Sequence, residues 1–304
     1  MTAPPVGAQA DFPLARLTTV RTGGAADWFA RPATEEQLLA LLAWAGEEGV
    51  EVGVVGSGSN LLVADDGFRG LALKLDGDLA AIERDGEQLL CGGGARLPSA
   101  SAKAANWGLT GIEFGINIPG TAGGAVKMNA NAYGGQLAGV LEWVDVCSPN
   151  GRERRAPEQL GFAYRSSNLA PGEVVSRASF RLRPADPSVV KATLVEMRAK
   201  RREAQPSGIK TFGSTFKNPE GERAAGRTAG QLLEGAGCRG LRHGGARFAE
   251  KHANFVENMG DATTADVLEL MAEGRRRVHE RFGVALEPEV QALGDVEWPV
   301  GWDL

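Results

Sequence analysis

At 304 residues, 43% hydrophobic and 23% charged, the chain has room for two domains and enough apolar material for a sizeable core. A formal charge of −5 excludes the basic footprint of a nucleic-acid-binding protein, and the absence of any run of about 18 apolar residues argues against a membrane span. Cys91, Cys147 and Cys238 are dispersed with no C-x-x-C pair, which argues against a disulfide framework and a zinc site and fits a reducing cytosol.

In chain order, the first segment, "MTAPPVGAQADFPL", lacks the basic start and apolar core of a signal peptide, so a cytoplasmic location is expected. Thr34 opens "TEEQLLALLAWAGEEG" with Gln37 three residues on and Gly49 at the end, a capped helix with an apolar stripe. "VEVGVV" reads as a strand running into Gly56–Asn60. "LALKLDG", "LAAIERDG" and "EQLLCGGG" read as short antiparallel strands joined at Asp-Gly turns, and "PSASAKAANWGL" as a short helix behind Pro98. "LEWVDVCSPNG" carries a hairpin signal at Asn150-Gly151, and "VVSRASFRLRP" is another strand. A helix is expected from Ser188 to about Ala204, its basic "RAKRRE" end solvated; "QPSG" breaks it, near a domain boundary, and capped helices come next at Thr228–Glu234 and Thr264–Phe282.

Two stretches suggest chemistry. Glycine is 42 of 304 residues, about 14% and roughly twice the usual share, and much of the excess lies between Gly53 and Gly135. In "VVGSGSNLLV", Gly56, Ser57, Gly58, Ser59 and Asn60 sit between two apolar runs. Taken alone, such a loop is either a plain turn or a concave array of amides that holds an anion. In "GIEFGINIPGTAGGAVKMNANAYGGQLAGVL" the one charged residue between Glu113 and Glu142 is Lys127. That composition suits either a glycine-rich core crossover or a wall against a large planar ligand with a polar tail. Other nucleotide templates fail: G-x-G-x-x-G would need glycine where Leu61 stands, and no G-x-x-x-x-G-K-[ST] occurs. His243, His252 and His279 form no metal-spaced pair.

"RTGGAADWF", "VVGSGSNLLV", "GIEFGINIPGTAGGAVKMNANAYGG", "AYRSSNL", "FGSTFKNPEG", "AGQLLEGAGCRG", "KHANFVEN" and "LEPEV" succeed one another from about Leu17 to Leu293. In that order they resemble the UDP-N-acetylenolpyruvoylglucosamine reductase (UDP-N-acetylmuramate dehydrogenase) family. The resemblance implies an α+β flavoprotein: an FAD-binding fold of the vanillyl-alcohol-oxidase (PCMH) type over residues 17–185 and a C-terminal α/β substrate lobe over 189–293. It implies tightly bound, non-covalent FAD, NADPH as hydride donor, and reduction of the enolpyruvyl ether of UDP-N-acetylglucosamine to UDP-N-acetylmuramate for peptidoglycan synthesis. The expected partner is thus a small UDP-sugar, with neither nucleic acid nor membrane insertion.

The resemblance also places residues. Gly56, Ser57, Gly58, Ser59 and Asn60 would hold the FAD pyrophosphate, with Gly120, Thr121, Gly123, Gly124 and Asn129 as a second wall. Arg165, Ser214 and Glu289 fall at the family's catalytic positions, and Tyr164, Lys217, Asn218 and His252 at substrate-side positions. The residue types suit the chemistry: hydride addition to the methylene of an enolpyruvyl group leaves an enolate-like dianion. Arginine, never deprotonated, grips a carboxylate in a planar fork; a protonated glutamate adds a hydrogen bond; a hydroxyl near the carbanionic carbon delivers the proton. The longer family members carry an inserted loop whose tyrosine closes over substrate; here "RASFRLRPADPSVV" runs straight into the next helix, as in the shorter variety. Two rivals remain. One is another FAD-dependent oxidoreductase of the same clan, against which stands the lack of any histidine before His243 for covalent flavin attachment. The other is a non-catalytic nucleotide-binding protein, which the joint presence of Arg165, Ser214 and Glu289 opposes.

Overall fold

Helix ends in this chain are set by the side chains that satisfy their first amides. In the computed structural model, which describes residues 4, 5 and 7–299, α1 (Glu35–Glu48) begins behind Thr34, whose hydroxyl accepts from the Gln37 amide at 3.3 Å. It stops at Gly49 in the left-handed region, φ +66°, and buries Leu38, Leu41, Leu42, Trp44 and Ala45. α2 (Leu97–Asn106) takes Pro98 into its first turn, and α3 (Ala122–Lys127) is a short helix behind Thr121.

The chain divides into two units, the first made of residues up to Phe12, Asp27–Ser57 and Arg69–Arg201. It holds most of a four-stranded sheet in the order Gln9–Pro13, Ala25–Ala30, Phe68–Leu73, Glu51–Val54. A five-stranded sheet runs Gly151–Arg155, Leu141–Ser148, Val174–Arg181, Gln88–Gly92, Ile82–Asp85. The alternation of Val144, Val146, Ala178 and Phe180 turns one face of this sheet onto Leu97, Ala100, Ala104 and Val126 of α2 and α3, which is the unit's larger core. A second core lies under α1, where Leu38 and Leu42 meet Leu71, Leu73 and Cys147.

Two sequence readings change here. "LALKLDG" does not form an antiparallel pair with the strand after it: Phe68–Leu73 lies parallel to Glu51–Val54, and the antiparallel hairpin is Ile82–Asp85 with Gln88–Gly92 in the other sheet. Asp76-Gly77 starts a 3-10 turn instead of a hairpin, since the Asp76 carboxylate accepts from the Gly77 amide and its carbonyl from Leu79. The basic helix end is not wholly solvated either. α4 (Pro187–Ala204) packs Val190 and Leu194 against Ala105 and Ile116, and Arg201, half-buried, donates to the Asn117 carbonyl. That packing carries the first unit through Arg201.

The second unit comprises Pro13–Ala26, Gly58–Phe68 and the chain from Arg202 onward. α5 (Ala229–Gly235) and α6 (Thr264–Phe282) each start with a reciprocal cap, Thr228 with Gln231 and Thr263 with Asp266. They pack over the antiparallel strands Arg242–His243, Ala246–Phe248 and Val256–Asn258, burying Leu232, Phe248, Val267, Met271 and Val278. The two early segments belong here for identifiable reasons. Leu61–Val63 lies parallel to Gln291–Leu293, Asn258 Nδ2 donates to the Val20 carbonyl at 2.8 Å, and the Asp65 carboxylate takes the Thr264 and Ala265 amides at the start of α6. The class is α+β. No helix among the described residues is long and apolar enough to cross a membrane, and none of their His, Cys, Asp and Glu side chains cluster as a metal site.

Candidate functional site

In the first unit, Gly56 and Ser57 leave the strand Glu51–Val54 at the point where the Val55 amide makes a last bond to the Leu73 carbonyl, 2.8 Å. A Cβ on Gly56 would sit 2.7 Å from Thr121 Oγ1, so this loop and the segment ahead of α3 touch there. The Thr121 hydroxyl accepts from the Gly124 amide at 3.4 Å. Gly123 is close-packed, its amide bonded to the Gly93 carbonyl at 2.8 Å and its Cβ position 3.1 Å from the same oxygen. Gly120 and Gly124 differ: nothing comes nearer their Cβ positions than 3.8 and 3.5 Å, so the fold itself does not require glycine there. Among the described residues, no protein acceptor takes the Gly56 or Ser57 amide. Open main chain at Gly120 and Gly124, and uncommitted amides at Gly56 and Ser57, are what a pyrophosphate needs in order to approach the backbone, and these residues fit that part of FAD.

The loop continues into the second unit at Gly58. Gly58 has φ +64°, and a Cβ there would fall 2.0 Å from the Leu17 carbonyl oxygen. The amide and hydroxyl of Thr19 both donate to the Gly58 carbonyl at 3.0 Å. Asn60 Nδ2 donates to the Glu289 carbonyl at 3.1 Å, and the Asn60 carbonyl accepts from the Gln291 amide at 3.1 Å. Ser59 is half-buried between them.

Arg165 occupies an unusual backbone state. Ala163 and Ser166 exchange bonds of 3.1 and 3.2 Å around a two-residue turn, Tyr164-Arg165, and Arg165 takes φ +56°. A non-glycine residue in the left-handed region costs about 1–2 kcal/mol, a strain that collects at functional sites. The turn is tied down by Asn129, itself at φ +39° and buried, whose Nδ2 donates to the Ala163 carbonyl at 3.1 Å while its Oδ1 accepts from the Ala138 amide at 3.2 Å. Both ends of the Asn129 amide are therefore spent on holding the chain. Arg165 Nη1 donates to the Asn131 carbonyl at 3.4 Å, and its guanidinium lies 5.4 Å from the centre of the exposed Tyr164 ring.

The second unit assembles the other catalytic candidates. Gly213, φ +85°, turns the chain into Ser214, which bridges Phe255; the Thr215 carbonyl accepts from the Glu289 amide at 2.9 Å, and Phe216 bridges Pro288. Ser214 and Glu289 thus lie on paired segments. Among the described residues no protein group bonds the half-buried Ser214 hydroxyl. One residue that sequence reasoning missed, Asn254, fixes this strand: its buried side chain accepts from the Phe216 amide at 2.9 Å and donates to the Phe216 carbonyl at 2.8 Å. It stands in "KHANFVEN", but nothing in that motif separates a scaffold amide from a ligand contact. Lys217 pairs with Glu287 at 3.3 Å, and Asn218 Oδ1 accepts from the Ala229 amide at 3.1 Å, at the first turn of α5. His252 packs its edge on Phe255 and accepts from the Asn254 amide through Nδ1 at 3.2 Å; burial pushes its pKa below the usual value, favouring the neutral ring.

Residues 26–156 match the family model of an FAD binding domain, and residues 205–293 match that of the UDP-N-acetylenolpyruvoylglucosamine reductase C-terminal domain. The chain is 45% identical over 288 residues to UDP-N-acetylenolpyruvoylglucosamine reductase 2 of Symbiobacterium thermophilum, covering 94% of this chain and 92% of that one. It is 43% identical to the Rubrobacter xylanophilus reductase, with 95% and 96% covered. The crystal structure of the Thermus caldophilus reductase aligns with a TM-score of 0.80 at 36% identity, covering 96% of this chain and 98% of the other. The fold is that of the reductase aligned over nearly its whole length, and the chain belongs to the UDP-N-acetylenolpyruvoylglucosamine reductase family.

Proposed function

We propose that this protein reduces the enolpyruvyl ether of UDP-N-acetylglucosamine to UDP-N-acetylmuramate, a step of peptidoglycan precursor synthesis, in the cytoplasm and at the expense of NADPH. The observation that carries this reading is the presence in one chain of an FAD binding domain and the reductase C-terminal domain, over nearly the full length of reductases at 43–45% identity. FAD, when bound, supplies the two-electron chemistry that links NADPH to the double bond. The loop Gly56–Asn60 and the open glycines Gly120 and Gly124 hold its pyrophosphate. Arg165, kept in its strained turn by Asn129, presents a permanent cation to the substrate carboxylate and to the negative charge that develops when hydride reaches the methylene carbon. Glu289 supplies a carboxyl group for a further hydrogen bond to the substrate. The Ser214 hydroxyl donates the proton to the neighbouring carbon. Lys217, Asn218 and neutral His252 of the second unit, and Tyr164 of the first, are assigned to substrate binding.

Product analysis tests the reading. Purified protein incubated with NADPH and the enolpyruvyl nucleotide sugar yields a product heavier by two hydrogens, with one NADPH consumed per product. NADPH consumption without that product, or no turnover by flavin-loaded protein, contradicts it.

A further inference from the structure

Lys74 comes directly after the strand Phe68–Leu73 and lies outside all eight family-like motifs. Its side chain is half-buried, and its Nζ donates to the Gly56 carbonyl oxygen at 2.5 Å. Its own amide is fixed by the Ala30 carbonyl at 3.0 Å, so the ammonium is delivered from an ordered stretch of backbone. The Gly56 carbonyl belongs to the peptide joining Gly56 to Ser57. A trans peptide is planar with its C=O and N–H pointing in opposite directions. Pinning the oxygen on the Lys74 side therefore turns the Ser57 N–H to the other side, and a charged donor on the carbonyl also polarises that N–H.

We infer that Lys74 is a positioning residue for the cofactor: it locks the Gly56–Ser57 peptide so that the Ser57 amide meets the FAD pyrophosphate. The inference rests on the loop being the pyrophosphate site. The charges around Lys74 agree with it. Burial, then Arg31 and Arg96, press its pKa down, while Asp76 opposes them, so a cation sits in surroundings short of negative charge. An incoming pyrophosphate relieves that shortage. Arg96, which acts on Lys74 electrostatically, also bridges Thr121 through the backbone, and Thr121 meets the loop at Gly56.

The test is the Kd for FAD at pH 7, read by serial dilution of the holoenzyme and recovery of free-flavin fluorescence. The wild-type protein, Lys74→Met and Lys74→Arg are compared. Loss of a charge-assisted hydrogen bond predicts a Kd at least ~10-fold weaker for Lys74→Met. Lys74→Arg, which keeps a charged donor, recovers most of that affinity. A Lys74→Met affinity equal to wild type, or a Lys74→Arg affinity as weak as that of Lys74→Met, overturns the inference. If Lys74→Met does not fold, Lys74→Gln takes its place, and wild-type affinity in that variant overturns the inference equally. Wild-type protein that holds no FAD at all refutes the site itself, a different result from either of these.

Discussion

Arg165 shows what a single residue reveals and what it hides. Its identity within "AYRSS" is legible in the sequence, but its φ of +56° is not, because arginine carries no signal for left-handed backbone. That state is imposed from outside, by the Asn129 amide clamped between Ala163 and Ala138. Lys74 and Asn254 were illegible for a related reason: each acts on a carbonyl or amide that only the folded chain brings near. Ser214 is the sharpest residue-scale case. Protonation of carbon belongs to substrate reduction alone, whereas reduction of the flavin by NADPH needs no such donor. In Ser214→Ala, flavin bleaching by NADPH stays near normal, and reoxidation by the enolpyruvyl substrate slows ~10²–10⁴-fold, as for a lost general acid. That is roughly 3–5 kcal/mol of barrier. Stopped-flow absorbance separates the two phases; equal slowing of both, or of neither, makes Ser214 a positioning group.

Elements with local punctuation were read well. α1 and α6 begin at Thr34 and Thr263 and end at Gly49 and Gly283 because caps and left-handed glycines act within one turn. The strand Phe68–Leu73 was misassigned because its parallel partner, Glu51–Val54, lies across an intervening loop, and an Asp-Gly pair marks a turn without saying which kind. The Gly56–Asn60 loop is an element in the same sense, shaped by glycine at one decisive position. Gly58→Ala forces a Cβ to within 2.0 Å of the Leu17 carbonyl at φ +64°, a cost of at least ~2 kcal/mol, and the variant purifies with less than stoichiometric flavin. Gly86→Ala is the control: φ is +59° but nothing lies within 4 Å, so about 1 kcal/mol is lost and flavin is kept. Thermal melts and the flavin-to-protein absorbance ratio read both effects. Full flavin content in Gly58→Ala removes the loop from the cofactor site.

At the scale of the molecule, the family and the two-part organisation were more legible than the course of the chain through the two parts. Contiguous ranges do not anticipate that Pro13–Ala26 and Gly58–Phe68 join the C-terminal unit through Asn258, Asp65 and the pairing of Leu61–Val63 with Gln291–Leu293. Pairings so distant along the chain leave no local mark that a pattern of hydrophobicity could expose. Cys91, Cys147 and Cys238 are free and buried, with burial raising Cys91 to about 12 and Cys238 to about 11. The central claim is that one chain carries out both halves of the reduction, and it is tested most directly by the visible spectrum of the purified protein under anaerobic conditions. The account predicts a yellow protein whose flavin band bleaches on one equivalent of NADPH and returns when the enolpyruvyl nucleotide sugar is added. A flavin that bleaches but is not restored by that substrate, or a protein that binds no flavin, contradicts it.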